Sequence, residues 1–389
     1  MRQVKQWRFA AVFVLLKRRR VLALMINDRS VWSEAWRRGM PYSESCMYYE
    51  EICVAVEAVS KACLAAKRVQ EAALSAGEQV KSQAKGDASP VTIGDFAVQG
   101  IVLAALAAIW PYDNFVAEES AAELLQCNEA TRALAADAAG FSCVQDLVNA
   151  VDLSNCSSEN TRENLSRSQK RRWILDPIDG TRGFLRGAQF CCALALAIDG
   201  EPVLSVLGCP NLDLAKTQIP GALAIALKGH GAYVADESAL SFSNHWRPLS
   251  ARKKDIKTHF NLTLVEGVES SHTNSAWAQA VMNLSGAYSF DSVRLDSQAK
   301  AVMLADGRAD CFMRLPTAGY REKVWDVAPA VILVQEAGGL FTDRYGRQLQ
   351  FNEDILSSEV DGLLATGACP ELHSKLVDAL TQTQYLQRT

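Results

Sequence analysis

Two aspartates stand three residues apart in the middle of the chain, in the run Asp176-Pro177-Ile178-Asp179-Gly180-Thr181. A strand pattern over 172–175 leads into this run, which predicts a turn that Pro177 makes rigid and Gly180 permits. Two carboxylates about 4 Å apart repel each other by roughly 4 kcal/mol at an effective dielectric constant of 20, so they need a proton or a cation between them. The run therefore favours a site for Mg2+, which prefers oxygen ligands. The alternative is a turn whose carboxylates only accept hydrogen bonds from their own backbone.

Three other acidic segments could supply further ligands. Glu118 and Glu119 follow a short apolar run, which predicts a carboxylate at the end of a strand. Asp95 and Asp326 each stand at the entrance of a predicted helix. A helix cap is the ordinary explanation for an aspartate in that position, and a solvated pair is the ordinary explanation for adjacent glutamates. Taken singly, none of these segments indicates a metal site.

Periodicity places these residues on helices and strands. Apolar residues recur at helical spacing over about 50–70 and again over 98–109, where Thr92 and Asp95 are candidate caps. A third helix is predicted over about 326–337, ending at Gly338-Gly339. Strand patterns cover 172–175, 191–198, 202–207, 259–265, 309–315 and 362–365. Asp199-Gly200 predicts a two-residue hairpin, and the polar stretches 77–90 and 152–170 predict loops.

Composition narrows the class of protein. The length of 389 residues predicts two domains, and the lowest density of apolar residues after 210 predicts the seam between them near 243–258. The average composition, with 49% hydrophobic residues, excludes a disordered or collagen-like chain. A net charge of −4 provides no overall attraction for nucleic acid. No apolar run approaches the roughly 18–20 residues that span a bilayer. Eleven cysteines without a CxxC pair indicate reduced thiols in an intracellular protein.

The N-terminus is strongly basic. Its first 27 residues contain seven basic residues and no acidic one, and the apolar run 9–16 is followed by a basic cluster rather than by a secretory cleavage site. The segment is either a mitochondrial-type presequence or an extension that the protein does not need. The expected location is the cytoplasm, with the mitochondrion as the alternative.

Taken in chain order, the four acidic segments resemble a known pattern. Asp95 in a V-T-x-x-D segment, the pair Glu118-Glu119, the run 176–181 and Trp325-Asp326 are similar to the lithium-sensitive, metal-dependent phosphatases of the inositol monophosphatase superfamily. Longer stretches resemble its 3'(2'),5'-bisphosphate nucleotidase branch. These stretches are 183–187, 208–212, 266–269, 295–300, 314–316 and 336–339. The resemblance runs from about Met47 to the C-terminus.

The resemblance implies a fold and a set of site residues. The fold is α/β, a layered α/β/α/β/α sandwich of the inositol monophosphatase/fructose-1,6-bisphosphatase type. It divides the chain into an extension (1–46), an α+β domain with most metal ligands (47–255) and an α/β domain with Asp326 and the nucleotide contacts (256–389). The implied ligands of two or three Mg2+ ions are Glu118, Asp176, Asp179, Asp326 and the carbonyl of Ile178. Asp95 and Thr181 would activate water, and His272, Ser297, Lys300 and Arg314 would contact the nucleotide.

The implied activity is Mg2+-dependent hydrolysis of a phosphate monoester. The expected substrates are small nucleotides: adenosine 3',5'-bisphosphate, which would give AMP and phosphate, and 3'-phosphoadenosine 5'-phosphosulfate, which would give adenosine 5'-phosphosulfate. Two alternatives remain open, an inositol polyphosphate 1-phosphatase and a catalytically inactive nucleotide sensor. The sequence departs from the branch at two places. The residues around His272 lack the Gly-His-Ser-Ser run of the branch. Pro329 stands in the first turn of a predicted helix, where a proline costs no hydrogen bond. The sequence leaves the oligomeric state open.

Overall fold

Two large β-sheets and three layers of helices form the main body of the fold. The computed structural model describes residues 37, 39–75, 83–84, 90–91, 93–154, 170–214, 220–236, 245–256, 260–268, 275–316, 320–357 and 360–383. The helices are α1 (Tyr49–Ser75), α2 (Ile93–Ile109), α3 (Ala121–Gln126), α4 (Glu129–Ala138), α5 (Val144–Val151), α6 (Thr181–Leu185), α7 (Ser275–Leu284), α8 (Ala299–Ala305), α9 (Ala328–Glu336) and α10 (Pro370–Gln382). Short 3-10 turns lie at Asp152–Ser154 and Val324–Asp326.

The strands form two large sheets and one small pair. The strands are β1 (Gln83–Ala84), β2 (Pro90–Val91), β3 (Asn114–Ala117), β4 (Arg171–Asp179), β5 (Cys191–Ile198), β6 (Glu201–Cys209), β7 (Ala222–Leu227), β8 (Ala232–Asp236), β9 (Arg247–Pro248), β10 (Asn261–Glu266), β11 (Ser289–Arg294), β12 (Cys311–Arg314), β13 (Leu340–Asp343) and β14 (Leu363–Thr366). The first large sheet has the order β3-β4-β5-β6-β7-β8-β9 and the second the order β11-β10-β12-β14-β13, while β1 pairs with β2. In the first, β3 and β4 run parallel and the other pairs antiparallel.

The alternation of side-chain size in β5 explains how the first sheet is covered on both faces. Every residue of this strand is buried, so its pattern alternates by size and not by polarity. Ala193 and Ala195 face a core that includes α8 and α9, whereas Leu194 and Leu196 face a core that includes α1 and α2. The small side chains leave room for the helices between the two sheets.

The layers follow the predicted order. Helices α1 and α2 cover the outer face of the seven-stranded sheet, and α8 and α9 fill the core that this sheet shares with β10, β13 and β14. Helices α7 and α10 pack on the opposite face of the five-stranded sheet. The prediction of a layered α/β/α/β/α sandwich is therefore confirmed. Among the described residues, no helix is long and apolar enough to cross a lipid bilayer.

Local predictions had mixed outcomes. The helix predicted over 50–70 is α1, and the hairpin at Asp199-Gly200 is confirmed, with positive φ values of 50° and 82° at its two turn residues. Helices α3 to α5 were missed. Ser120 and Glu123 form a capping box at the start of α3, and this S-x-x-E spacing is a signal that could have located it. Most of 77–90 and 152–170 lies outside the described residues.

Tyr42, inside the predicted extension 1–46, packs on the body of the protein. Its side chain is 6% exposed, its hydroxyl donates to the Gly231 carbonyl at 2.9 Å, and its ring meets Tyr233 edge-on at 5.3 Å. Loss of a large buried side chain costs roughly 3–5 kcal/mol. We therefore expect a chain that begins at Met47 to have a lower Tm than one that begins at Met40, with activity retained in both. Tyr42→Ala in the longer chain should reproduce the loss, and equal Tm values for the two chains would contradict it.

Candidate metal centre

Parallel pairing of β3 with β4 places Glu118 next to Asp176. The last paired residues are Ala117 and Leu175, so the two acidic residues are the next ones along neighbouring strands. Because parallel strands end at the same edge of a sheet, both carboxylates lie at that edge. The predicted position of Glu118 at a strand end is confirmed.

An irregularity in β4 places Asp176 and Asp179 on the same side. The prediction of a turn after Leu175 is wrong, because β4 continues through Asp179. Asp176 pairs with Ala193 and Asp179 pairs with Cys191, so between these pairs two residues on β4 lie opposite one residue on β5. In a regular strand, residues three apart point to opposite faces, and the extra residue of a bulge reverses this. The bulge therefore allows two carboxylates that are three residues apart to converge.

Asp326 completes the cluster from a distant part of the chain. The helix predicted over about 326–337 is α9, but Asp326 is not its cap, because it ends the 3-10 turn Val324–Asp326 two residues before α9 begins. One oxygen from each of Asp176, Asp179 and Asp326 lies within 4.8 Å of the others. Three carboxylates from two distant parts of the chain therefore converge on one place.

Burial and mutual repulsion of the clustered carboxylates favour a bound cation. Asp176 is 1% exposed, and burial raises the pKa of Asp176 well above its usual range, with further increases from the charges of Glu118, Asp179, Asp326 and Asp95. Burial also raises the pKa of Asp179 to about 6, although Lys300 opposes the shift. Ionised together, these groups repel each other strongly unless positive charge lies among them.

The donor set fits Mg2+. The clustered groups are all carboxylates, the oxygen ligands that this hard ion prefers. Asp176 Oδ1 is buried and has no hydrogen-bond partner among the described residues, so this member of the cluster keeps an unsatisfied acceptor that a cation would satisfy. Asp176, Asp179 and Asp326 would hold the ion, and Glu118 lies close enough for its charge to act on Asp176.

The two residues expected to activate water lie beside this cluster. Asp95 is the third residue of α2, so it is not the helix cap, and it is 1% exposed. Its charge contributes to the raised pKa of Asp176. Thr181 is the first residue of α6, and its hydroxyl donates to the Ile178 carbonyl at 3.1 Å. Thr181 and the Ile178 carbonyl therefore lie together at the end of β4, and Asp95 lies near enough for its charge to act on Asp176.

Ser297 and Lys300 belong to the same region. Ser297 is 5% exposed and adopts a left-handed φ of 67°, two residues before α8 begins. Lys300, in the first turn of α8, donates from Nζ to the carbonyls of Leu295 and Ser297. Burial lowers the pKa of Lys300, while the carboxylate of Asp179 opposes that shift. Lys300 thus presents a cationic group to the carboxylate cluster.

Arg314 reaches the cluster from the end of β12. Its Nε lies 3.0 Å from a carboxylate oxygen of Glu322, and its Nη2 lies 3.5 Å from Asp326 Oδ2. Nη2 also donates to the Tyr320 hydroxyl at 3.2 Å. Glu322 is 1% exposed, so the guanidinium is fixed by a buried carboxylate on one side and faces a metal-site aspartate on the other. His272 lies outside the described residues.

Three residues at the site were not predicted from the sequence. Gln298 donates from its backbone nitrogen to Asp179 Oδ2, and Glu322 and Tyr320 contact Arg314. Gln298 stands inside the stretch 295–300, which resembles the nucleotidase branch, so its position was indicated but not its role. No sequence pattern marks Glu322 or Tyr320.

Solved structures with this fold support the architecture. The chain is similar to the extragenic suppressor protein suhB from Bartonella henselae, with a TM-score of 0.57, 20% identity and coverage of 86% of this chain and 99% of that chain. It is equally similar to the IMPase of Thermotoga maritima, with a TM-score of 0.57, 17% identity and coverage of 86% and 98%. At these identities the likeness shows the fold alone.

Sequence comparison identifies the family. The model of the inositol monophosphatase family matches residues 49–384, and the chain belongs to that family. A relative from Candida albicans, named 3'(2'),5'-bisphosphate nucleotidase 1, is 36% identical over 357 residues, which cover 86% of this chain and 96% of the relative. The 3'(2'),5'-bisphosphate nucleotidase of Schizosaccharomyces pombe is 31% identical over 345 residues, which cover 84% and 93%. The predicted resemblance is confirmed.

Proposed function

We propose that this protein is an Mg2+-dependent phosphatase that removes the 3'-phosphate from adenosine 3',5'-bisphosphate and from 3'-phosphoadenosine 5'-phosphosulfate. The observation that carries the proposal is the convergence of Asp176, Asp179 and Asp326, with Lys300 and Arg314 beside them. The names of the relatives from Candida albicans and Schizosaccharomyces pombe support the choice of substrate.

Bound Mg2+ would supply positive charge for the transferring phosphoryl group and would acidify a water molecule. The residues of the chain would position the ions and accept the proton of the attacking water. Glu118 and the three clustered aspartates would hold the ions, and the Ile178 carbonyl would be a further oxygen ligand. Asp95, held almost fully buried in the first turn of α2, accepts the proton of the attacking water through the hydroxyl of Thr181. No side chain acts as a covalent nucleophile in this mechanism.

Fixed positive charge supports a doubly phosphorylated substrate. A second phosphate that takes no part in the reaction must lose its water on binding, which requires rigid donors. Arg314 is held by Glu322, and both Lys300 and Arg314 oppose the rise in the pKa of Asp179, so two cationic groups lie near the carboxylate cluster. Ser297 and His272 are the other proposed nucleotide contacts.

Other properties rest on the resemblance and on composition. We expect two or three ions in each site and inhibition by Li+. The two large sheets comprise 114–248 and 261–366, which supports the proposed division into domains 47–255 and 256–389. The proposed location is the cytoplasm, with the mitochondrion as the alternative suggested by the basic N-terminus.

Phosphate release from a panel of substrates tests the proposed function. The panel contains adenosine 3',5'-bisphosphate, its 5'-phosphosulfate relative, 3'-AMP and inositol 1,4-bisphosphate, each with Mg2+ and with EDTA. We expect the highest kcat/KM for the adenosine bisphosphate or its sulfated relative, and no turnover with EDTA. A preference for the inositol phosphate would support the alternative phosphatase. Nucleotide binding without any turnover would support the inactive sensor.

Thr181→Ala should lower kcat with little change in KM. The hydroxyl acts on the attacking water and not on the nucleotide, and general acid–base assistance contributes typically about 100- to 10,000-fold. Steady-state kinetics at saturating Mg2+ measure the two constants separately. Thr181→Ser keeps the hydroxyl and should retain most of the rate. An increase in KM alone would show that Thr181 binds substrate and does not relay a proton.

A further inference from the structure

Gln298 connects three segments that surround the carboxylate cluster. Its backbone nitrogen donates to Asp179 Oδ2 on β4. Its side-chain Nε2 donates to the Trp325 carbonyl at 3.0 Å, and its Oε1 accepts from the Ala330 nitrogen at 3.2 Å. The residue is 6% exposed. One buried glutamine therefore contacts one acidic ligand directly and holds the residue that precedes another.

The connection matters because the ligands come from separate parts of the chain. Asp179 belongs to the seven-stranded sheet, whereas Asp326 ends a 3-10 turn in front of α9. No regular hydrogen-bond ladder joins that turn to β4 among the described strand pairs. The side chain of Gln298 bonds to the turn at Trp325 and to the first helical turn at Ala330, so it fixes the turn from both sides.

The backbone that carries Gln298 is itself held in place. Ser297 adopts a left-handed φ of 67° and packs against Gly180, where a Cβ atom would lie 3.1 Å from the Ser297 Cβ. Asp296 is buried and accepts from Arg186 Nη2 at 3.0 Å. Gly183 leaves the space that Asp296 occupies, since a Cβ there would lie 2.7 Å from Asp296 Oδ2. These contacts aim the Gln298 nitrogen at Asp179.

We propose that Gln298 is a positioning residue of the metal centre, which sets the separation between Asp179 and Asp326 and thereby the affinity for Mg2+. The inference rests on the proposed metal-dependent function. Partners that orient metal ligands typically contribute about 10- to 100-fold in metal affinity or activity. A residue that only filled space in the core would affect the stability of the fold and leave metal affinity unchanged.

The test is Mg2+ binding to the full chain without nucleotide, measured by isothermal titration calorimetry. Gln298→Met keeps the volume and the backbone bond to Asp179 but removes both side-chain hydrogen bonds. We expect the Kd for Mg2+ to rise at least about ten-fold, and the Mg2+ concentration for half-maximal phosphatase activity to rise in parallel. Gln298→Asn keeps a buried amide that is one methylene too short for both bonds, so its Kd should rise as well.

Thr383→Val provides a matched control. It removes a buried hydrogen bond from Trp277 Nε1 to Thr383 Oγ1, 2.8 Å long, between α7 and the end of α10. We expect Thr383→Val and Gln298→Met both to have a lower Tm than the parent, because each removes buried hydrogen bonds, but Thr383→Val should bind Mg2+ like the parent. Parent-like Kd values in both Gln298 variants, or an equal increase in Thr383→Val, would overturn the inference. A parent protein that binds no Mg2+ would instead contradict the proposed function.

Discussion

Asp176→Asn should abolish turnover and leave the fold at least as stable as the parent in the absence of metal. The side chain is 1% exposed, and four other acidic residues raise its pKa. Asparagine has nearly the same shape but no charge, so it removes repulsion from the metal-free cluster and weakens the hold on Mg2+. Metal ions contribute several kcal/mol to the transition state in such reactions, which corresponds to a loss of at least about a thousand-fold in kcat.

Two measurements together check this expectation. The first is kcat with saturating substrate and Mg2+. The second is Tm with EDTA and with Mg2+, since a ligand that binds only the folded state raises stability in proportion to the logarithm of its concentration over Kd. We expect Mg2+ to stabilise the parent but not the variant, and the variant in EDTA to melt no lower than the parent.

Asp291→Asn is the matched control. Asp291 is an exposed residue on β11, the edge strand of the five-stranded sheet, so its substitution changes the same net charge away from the cluster. It should keep the parent's kcat and its stabilisation by Mg2+. Parent-like turnover or a parent-like Mg2+ shift in Asp176→Asn would remove the central role of this carboxylate.

The sequence predicted the acidic segments of the site better than it predicted their geometry. Asp176 and Asp179 were recognised from their types and spacing, yet a spacing of three on a regular strand would separate them onto opposite faces. Their convergence depends on the extra residue that β4 inserts against β5, and this register is a property of two strands together. The local pattern alone could not show it.

The sequence also did not predict the contacts between distant segments. Gln298 and Asp179 are 119 positions apart, and no periodicity relates them. Glu322 stands in a polar stretch that resembles an ordinary surface segment, yet it is buried beside Arg314, where it provides a counter-charge. Helix α3, by contrast, was within reach, because its capping box is a local pattern. Secondary structure and layer order follow from local patterns and family resemblance, whereas the ion pairs follow from tertiary packing.

Replacing Arg314 should lower activity on a bisphosphate more than on a monophosphate. Hydrogen bonds to charged groups contribute about 1.5–3 kcal/mol, so loss of one should reduce kcat/KM for adenosine 3',5'-bisphosphate roughly ten- to a hundred-fold. A nucleotide such as 3'-AMP lacks the second phosphate and should lose much less. The informative quantity is therefore the ratio of kcat/KM for the two substrates.

The buried ion pair between Arg314 and Glu322 determines which variants this experiment should use. Arg314→Ala alone would leave Glu322 buried and unpaired, and breaking a buried ion pair in this way costs about 3–5 kcal/mol of stability. The double variant Arg314→Met with Glu322→Gln removes the guanidinium without leaving a lone buried charge. Glu322→Gln alone keeps an oxygen for Arg314 Nε and serves as the control. The same comparison in Lys300→Met tests the second cationic group.

We expect the double variant to lose its preference for the bisphosphate, and Glu322→Gln to retain it. Because Arg314 Nη2 lies 3.5 Å from Asp326, part of the loss should appear with both substrates. An equal loss of kcat/KM with both substrates would indicate that the guanidinium contacts the reacting phosphate or the metal site. The second phosphate would then have to be recognised elsewhere, and the proposed contacts at Ser297 and Lys300 would be the next residues to replace.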